Sequence, residues 1–119
     1  MTGAIVFSWG AGVPGREAKG LEVFGNALAY FDGLAKEGRV HGHREYFKLT
    51  GKSGGFMIVD GEVEELLKIQ SEDASIKLLA QAEAIVQDFE VTIAVGGTEQ
   101  TVQQEMSRFT GALGELGYM

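Results

Sequence analysis

A short polar run in the middle of the chain, His41, His43 and Glu45, has the residue types and spacing for acid–base or metal chemistry. Side chains two residues apart on a β-strand point to the same face, so all three would share one face. The imidazoles, about 6.5 to 7 Å apart at Cα, would be near enough for one metal ion, although Glu45 would lie too far along the strand. A histidine also titrates near neutral pH and can act as a base. The alternative is a polar, half-exposed sheet face. We take His41 and His43 as candidate catalytic residues and assign no metal site.

The opposite face of the same strand offers Arg44 and Tyr46, which would be placed to orient an anionic or aromatic ligand in a cavity over the sheet. The alternative is that Arg44 is an edge-strand charge that discourages pairing with other chains. Trp9 ends the first apolar run and is either a pocket wall or a core side chain. These three residues are the candidate ligand-binding residues.

The glycine pattern Gly10-x-Gly12-x-x-Gly15 lies where a dinucleotide fingerprint would stand, after a strand and before a helix. That fingerprint also requires further parallel βαβ units. Here the next strand leads into a hairpin instead. We therefore interpret the glycines as a plain flexible loop.

Composition excludes several kinds of function. The 119-residue chain has a net charge of -7, which opposes binding to phosphate backbones. The absence of Cys excludes disulfides, thiolate nucleophiles and Cys-ligated metals. No segment approaches the roughly 18 apolar residues of a membrane span, and the N-terminus lacks the features of a signal peptide. We predict a cytoplasmic protein without nucleic-acid or membrane partners, and no cofactor is identified.

The spacing of apolar residues predicts the strands and helices that must position these side chains. Short β-branched and aromatic runs predict strands over 4–9, 39–49, 56–60 and 88–95. Apolar residues spaced by threes and fours predict helices over 16–38, 62–70 and 72–83. The segment TGKSGG predicts an antiparallel hairpin between the second and third strands. In the third helix we expect Ser71 as N-cap, and we expect three inward residues, Ile76, Leu79 and Ala80.

This order predicts an α+β fold, a ferredoxin-like βαββαβ antiparallel sheet with helices on one face. We expect one domain over 1–119, with a core over about 3–96 and an added C-terminal helix over about 98–116. The added helix has an apolar stripe that needs cover, on the open side of the sheet or on another subunit: Val102, Met106, Phe109, Leu113 and Leu116. We therefore predict a homodimer.

The segment from Leu28 to Val95 resembles the dimeric α+β barrel superfamily, and within it most closely YCII-related proteins. The resemblance is carried by LAYFDGLAKEGRVHG, GGFMIVDG, EVEELLKIQSED and VQDFEVTIAV. It implies two ferredoxin-like sheets packed face to face around a sheet-side cavity, and some members are oxygenases, dehalogenases or isomerases. It also implies a role for Asp73, which matches the acidic residue of YCII-related proteins, whereas Asn26 lies in the stretch where they usually carry a histidine.

The function predicted from these features is a small-ligand-binding homodimer without a complete catalytic signature. The alternative is a cofactor-independent small-molecule oxygenase or isomerase. In that case His41 or His43 would be the base in the sheet-side cavity, with Arg44 or Tyr46 orienting the substrate.

Overall fold

Strands and helices follow one another in the predicted order. In a computed structural model that describes residues 1–119, the elements are β1 (Thr2–Trp9), α1 (Glu17–Lys36), β2 (Gly42–Phe47), β3 (Gly55–Glu62), α2 (Val63–Gln70), α3 (Asp73–Ile85), β4 (Glu90–Val95) and α4 (Glu99–Glu115). None of the helices is both long and apolar enough to cross a membrane.

The four strands form one sheet in the order β2-β3-β1-β4. Every neighbouring pair is antiparallel, including the hairpin of β2 and β3. The predicted ferredoxin-like α+β arrangement is therefore confirmed. The second strand is shorter than predicted at both ends, because residues 39–41 form the connection before β2 and residues 48–49 belong to the hairpin loop.

The two faces of the sheet are set by the alternation of side chains along each strand. On β1, Ile5 and Phe7 are buried beneath the helices, and their neighbours Ala4 and Val6 lie on the opposite, open face. The core beneath the helices includes four side chains that are almost completely buried: Ile5, Val59, Leu66 and Ile69. Helices thus cover one face of the sheet.

Gly54 brings the end of the hairpin loop against the end of β1. Its φ is +124°, a conformation that L side chains rarely adopt. A Cβ at this position would overlap the carbonyl oxygen of Trp9 and would lie 2.8 Å from Cα of Gly10. The close approach of the two segments therefore depends on a glycine.

The junction of α2 and α3 differs from the prediction. Ser71 ends α2 instead of capping α3, and its hydroxyl donates to the carbonyl oxygen of Lys68 at 2.7 Å. Glu72 occupies the N-cap position of α3 without a side-chain capping bond. The prediction for Ser71 was wrong because its hydroxyl bonds to the helix before it.

The buried side of α3 also differs. Ile76 is 53% exposed and Ala80 is exposed, so the prediction that they face inward was wrong, whereas that for Leu79 was correct. The inward-facing side of α3 begins with a polar residue, so the spacing of apolar residues did not predict it. Its members keep helical spacing: Ser75, Leu78, Leu79 and Ala82.

Two acidic side chains of the α2–α3 region are held in ion pairs with Arg39. Arg39 bonds Glu65 through Nε at 2.6 Å and Glu72 through Nη1 and Nη2 at 2.9 and 2.8 Å. These bonds raise the pKa of Arg39 and lower that of Glu72. They fix the connection before β2 to α2 and α3.

Helix α4 is attached to the sheet at its start and then projects away from it. The side chain of Thr98 accepts a bond from the amide of Thr101 at 3.2 Å, and Thr101 is buried against Thr2 with hydroxyl oxygens 2.5 Å apart. Farther along, Met106 and Phe109 are 64% and 66% exposed. Within one chain, therefore, α4 does not cover the open face of the sheet.

Candidate functional site

A cavity of about 580 Å³ lies between the helices α1 and α3 and the covered face of the sheet. Of its 25 lining residues, 16 are hydrophobic. Its size lies within the range of about 300 to 1,000 Å³ typical of small-molecule sites. Aromatic side chains from the strands and α1 supply much of its wall: Phe7, Trp9, Phe24, Phe31, Phe47 and Phe89.

The cavity exists because the facing sides of the two helices carry small residues. Gly20 and Ala27 line it from α1, and Ala82 lines it from α3. Protein interiors are otherwise close-packed, so larger side chains at these positions would fill the space. The two helices thus stand apart over this end of the sheet.

Aromatic rings form a ladder along one side of the cavity. The ring of Phe24 meets Trp9 at a centroid distance of 5.9 Å and Phe47 at 5.7 Å, both edge to face. Edge-to-face contacts of this kind are favourable beyond the area they bury. Leu21 and Phe47 are 76% and 66% exposed, so they mark the mouth of the cavity.

Few polar side chains reach into this apolar space. Ser75 is only 2% exposed, and its hydroxyl lies 2.9 Å from that of Tyr30. The carbonyl oxygen of the Gln70 side chain is buried without a hydrogen-bond partner. At the exposed rim, Arg16 Nη1 donates to the carbonyl oxygen of Ala84 at 2.6 Å. The lining therefore fits a ligand that is mostly apolar.

The glycine pattern after β1 contributes backbone to the wall of the cavity. The amide of Gly10 donates to the carbonyl oxygen of Gln87 at 2.8 Å, and that of Val13 donates to Ile85 at 2.9 Å. The amide of Gln87 donates back to Ala11 at 2.8 Å. These bonds tie the predicted loop to the α3–β4 connection, so Gly10 and Val13 do not present free amides to a phosphate.

His43 lies outside the cavity, between α1 and β2. Its Nε2 is 2.5 Å from Asp32 and its Nδ1 is 2.5 Å from Glu45. Burial lowers the pKa of His43, but the hydrogen bonds to the two carboxylates outweigh this effect and raise it above its ordinary value. Carboxylates only accept hydrogen bonds, so both contacts are hydrogen bonds when the ring carries a hydrogen on each nitrogen. In that protonated form, His43 is an ionic clamp between helix and strand.

This clamp also explains why the histidines do not form a shared site. Asp32 and Glu45 bond opposite ends of the His43 ring, so their oxygens do not converge on one point. The exposed His41 ring lies 3.8 Å from Glu62 instead. No group of three or more His, Asp or Glu side chains is placed to hold a metal ion.

The other predicted site residues are distributed over the molecule. Arg44 lies on the open face, 3.4 Å from Asp60, and Tyr46 stacks on Phe56 there with a centroid distance of 5.0 Å. Asp73 is exposed at the first residue of α3. Of the six predicted residues, Trp9 alone lines the cavity, and the cavity lies on the helix-covered face, not over the open face.

Sequence reasoning missed the residues that line the cavity from α1 and from the α2–α3 junction. The signal on α1 was an inward stripe that mixes small and aromatic residues at helical spacing: Gly20, Phe24, Ala27 and Phe31. The small residues of this stripe leave space beside the aromatic rings of the same helix. Gln70 and Ser75 had no comparable signal, because one polar residue near a helix end usually faces solvent.

Comparison with solved structures finds the same fold in SnoaB, a cofactor-independent oxygenase from Streptomyces nogalater. The TM-score is 0.60, the match covers 82% of this chain and 94% of SnoaB, and the sequences are 13% identical. The fold is shared. At this identity the likeness establishes the fold alone. No family model matches the chain, and no curated protein matches it.

Proposed function

We propose that this protein is a homodimer that binds an apolar small molecule in the cavity between α1, α3 and the sheet. The observation that carries the proposal is the cavity itself, about 580 Å³ with 16 hydrophobic residues among the 25 that line it. A preformed apolar space of this size with few polar groups is the usual form of a small-ligand site.

The chemistry of the lining indicates a neutral ligand. The charged side chains of the wall, Arg16 and Glu17, are exposed and lie at its rim. The net charge of -7 further opposes an anionic ligand. Edge-to-face rings along one side favour a ligand with flat apolar surfaces.

The proposed dimer rests on two apolar surfaces that one chain leaves uncovered. Helix α4 exposes Met106, Phe109 and Leu116, and the open face of the sheet carries Val6 and Ile58. Contiguous exposed apolar surface on a small protein usually marks an interaction site. A second copy would cover both surfaces, with the open sheets facing each other and each α4 packed on the partner.

Ligand binding is tested by filling the cavity. We expect neutral apolar compounds to quench or shift the fluorescence of Trp9, the one tryptophan of the chain, in a saturable way. Ala82→Phe should abolish the response because the new ring occupies the cavity. Ala80→Phe is the matched control, since it places the same ring on the exposed side of α3. Absence of a saturable response in the wild-type protein across a panel of such compounds would refute the proposal.

The dimer is tested by size exclusion with light scattering. The wild-type protein should elute at twice the 12.8 kDa mass of the chain at micromolar concentration. The double substitution Met106→Glu and Phe109→Glu should give a monomer. Changing the neighbouring Gln103 and Gln104 to Glu adds the same charge outside the apolar stripe and should leave the dimer intact. A stable wild-type monomer would contradict the proposal.

A second candidate function is cofactor-independent oxygenation or isomerisation of a small molecule. The similarity of the fold to SnoaB, described as a cofactor-independent oxygenase, favours it. The predicted bases do not lie at the cavity, since His43 is held between carboxylates and His41 is exposed. If changing both histidines to Gln leaves turnover of an identified substrate unaltered, that mechanism is excluded.

Two further sequence-based predictions belong to this proposal. One is a relationship to YCII-related proteins, supported by the motifs around the hairpin and by Asp73. The other is a cytoplasmic location, supported by the lack of Cys. Expression with a fluorescent tag and cell fractionation would test the second directly.

A further inference from the structure

The apolar lining of the cavity is interrupted at the junction of α2 and α3. Gln70 is the last residue of α2, Ser75 lies in the first turn of α3, and both line the cavity. The other polar side chains of the wall include Arg16, Glu17 and Ser53, which are exposed at the rim. The interior of the cavity therefore has one polar corner, formed by Gln70 and Ser75.

The two residues of this polar corner differ in how their hydrogen bonds are satisfied. The buried hydroxyl of Ser75 has a partner in Tyr30 at 2.9 Å. The side-chain oxygen of Gln70 is buried and has none. Buried polar atoms in folded proteins nearly always have a partner, and leaving one unpaired is costly. Because this oxygen has almost no accessible surface, a bound molecule would pair with it only after the amide turns toward the cavity.

A hydroxyl group matches this requirement better than other polar groups. The terminal torsion of a glutamine side chain is broad and roughly two-fold, so the amide can present either its oxygen or its nitrogen. A hydroxyl both donates and accepts, and so it pairs with the amide in either orientation. A carboxylate would be buried without a cation, because Arg16 lies at the rim and bonds the carbonyl oxygen of Ala84.

We propose, on the basis of the proposed ligand-binding function, that the ligand is an apolar molecule with a hydroxyl group that hydrogen-bonds the side-chain amide of Gln70. The hydroxyl of Ser75 lines the same corner and is held in place by that of Tyr30, which lies behind the lining. The apolar body of the ligand then extends along the aromatic ladder toward the mouth. Gln70 is thereby a specificity-determining residue of the cavity.

The test compares two probes of the same shape, 1-naphthol and 1-methylnaphthalene, by ligand-observed NMR titration of the full chain. We expect the wild-type protein to bind 1-naphthol about tenfold more tightly, which corresponds to one net hydrogen bond. Gln70→Met keeps the length of the side chain and removes the amide, so the preference should fall below about twofold. Gln81→Met makes the same change on α3 outside this cavity and should leave the preference intact.

The outcomes separate this inference from the proposed function. Equal binding of both probes to the wild-type protein would overturn the role of Gln70 and leave the ligand-binding proposal standing. Absence of saturable binding of both probes would overturn the inference, and absence across the whole panel of apolar compounds would overturn the proposed function as well. Thermal unfolding gives the second readout, since Gln70→Met removes an unpaired oxygen and should not lower Tm. A lower Tm with an unchanged probe preference would identify Gln70 as structural and refute the inference.

Discussion

The helix-covered face of the sheet has two ends that differ in packing. Beneath α2, Val59, Leu66 and Ile69 are fully buried and fill the space. Beneath α1 and α3, small and aromatic residues on the same face leave a cavity of about 580 Å³. At both ends, the helix residues that face the sheet are spaced by threes and fours along the chain. The difference shows that residue size, rather than hydrophobic pattern, separates the part of this core that stabilises the fold from the part that is available to a ligand.

The largest expected effect comes from truncating a side chain at the filled end. Leu66→Ala should lower the free energy of unfolding by about 2 to 5 kcal/mol, because it creates a void in a closely packed region. Leu79→Ala at the hollow end should cost about 2 kcal/mol or less, since it enlarges a space that already exists. Urea unfolding of both variants measures the difference. Equal losses would mean that the two ends are packed alike.

A smaller loss is expected where the hairpin loop meets the hollow end. Gly54→Ala should cost about 1 to 3 kcal/mol, because Ala is strained at this positive φ and its Cβ meets the backbone of Trp9 and Gly10. Gly51 also has a positive φ, +77°, but has open space around it. Gly51→Ala should therefore cost less, about 1 kcal/mol for the left-handed conformation alone. Thermal unfolding of the two variants compares them, and a larger loss for Gly51→Ala would contradict this account.

The clamp of His43 adds a pH dependence near the cavity. The pKa of His43 is higher in the folded protein than in the unfolded chain, where it is about 6.5. The contribution of the clamp to the free energy of unfolding is therefore fully present below about pH 6.5 and is lost as the pH rises through the folded pKa. His43→Gln should lower the free energy of unfolding by about 1 kcal/mol at pH 5.5. A hydrogen bond to a charged group contributes more than this when buried, but Asp32 is exposed to solvent, which weakens the interaction.

The difference between the wild type and His43→Gln should shrink toward pH 9 in unfolding experiments at several pH values. His41→Gln is the control, as His41 is 55% exposed and lacks the two short carboxylate contacts. A difference that grows with pH would contradict the protonated clamp.

The smallest effect is expected on the open face. Arg44 and Asp60 form an exposed pair at 3.4 Å, and exposed pairs contribute about 0.2 to 1 kcal/mol. Arg44→Gln should therefore change stability by less than about 1 kcal/mol, and ligand binding should not change. Arg39→Gln should cost more, since Arg39 bonds both Glu65 and Glu72. Urea unfolding and probe binding on the two variants provide the measurement.

The sequence was sufficient to predict the fold but not the candidate site. The β-branched and aromatic runs, such as that over 88–95, predicted the strands, and the hairpin glycines predicted the antiparallel pairing of the second and third, because both signals are local. The cavity depends on how far α1 stands from α3, which local patterns do not encode. Ser75 shows the limit clearly. It begins the inward stripe of α3, yet as a polar residue it gave no apolar signal, and Ile76 beside it gave a misleading one.

The start of α4 is also held far from the cavity. Thr2, at the start of β1, holds the beginning of α4, and Trp9, at the other end of the same strand, lines the cavity. An eight-residue strand separates the two by about 23 Å. The attachment of α4 and the wall of the cavity therefore lie at opposite ends of one strand, so a change at the start of α4 should leave the surroundings of the single tryptophan unaltered.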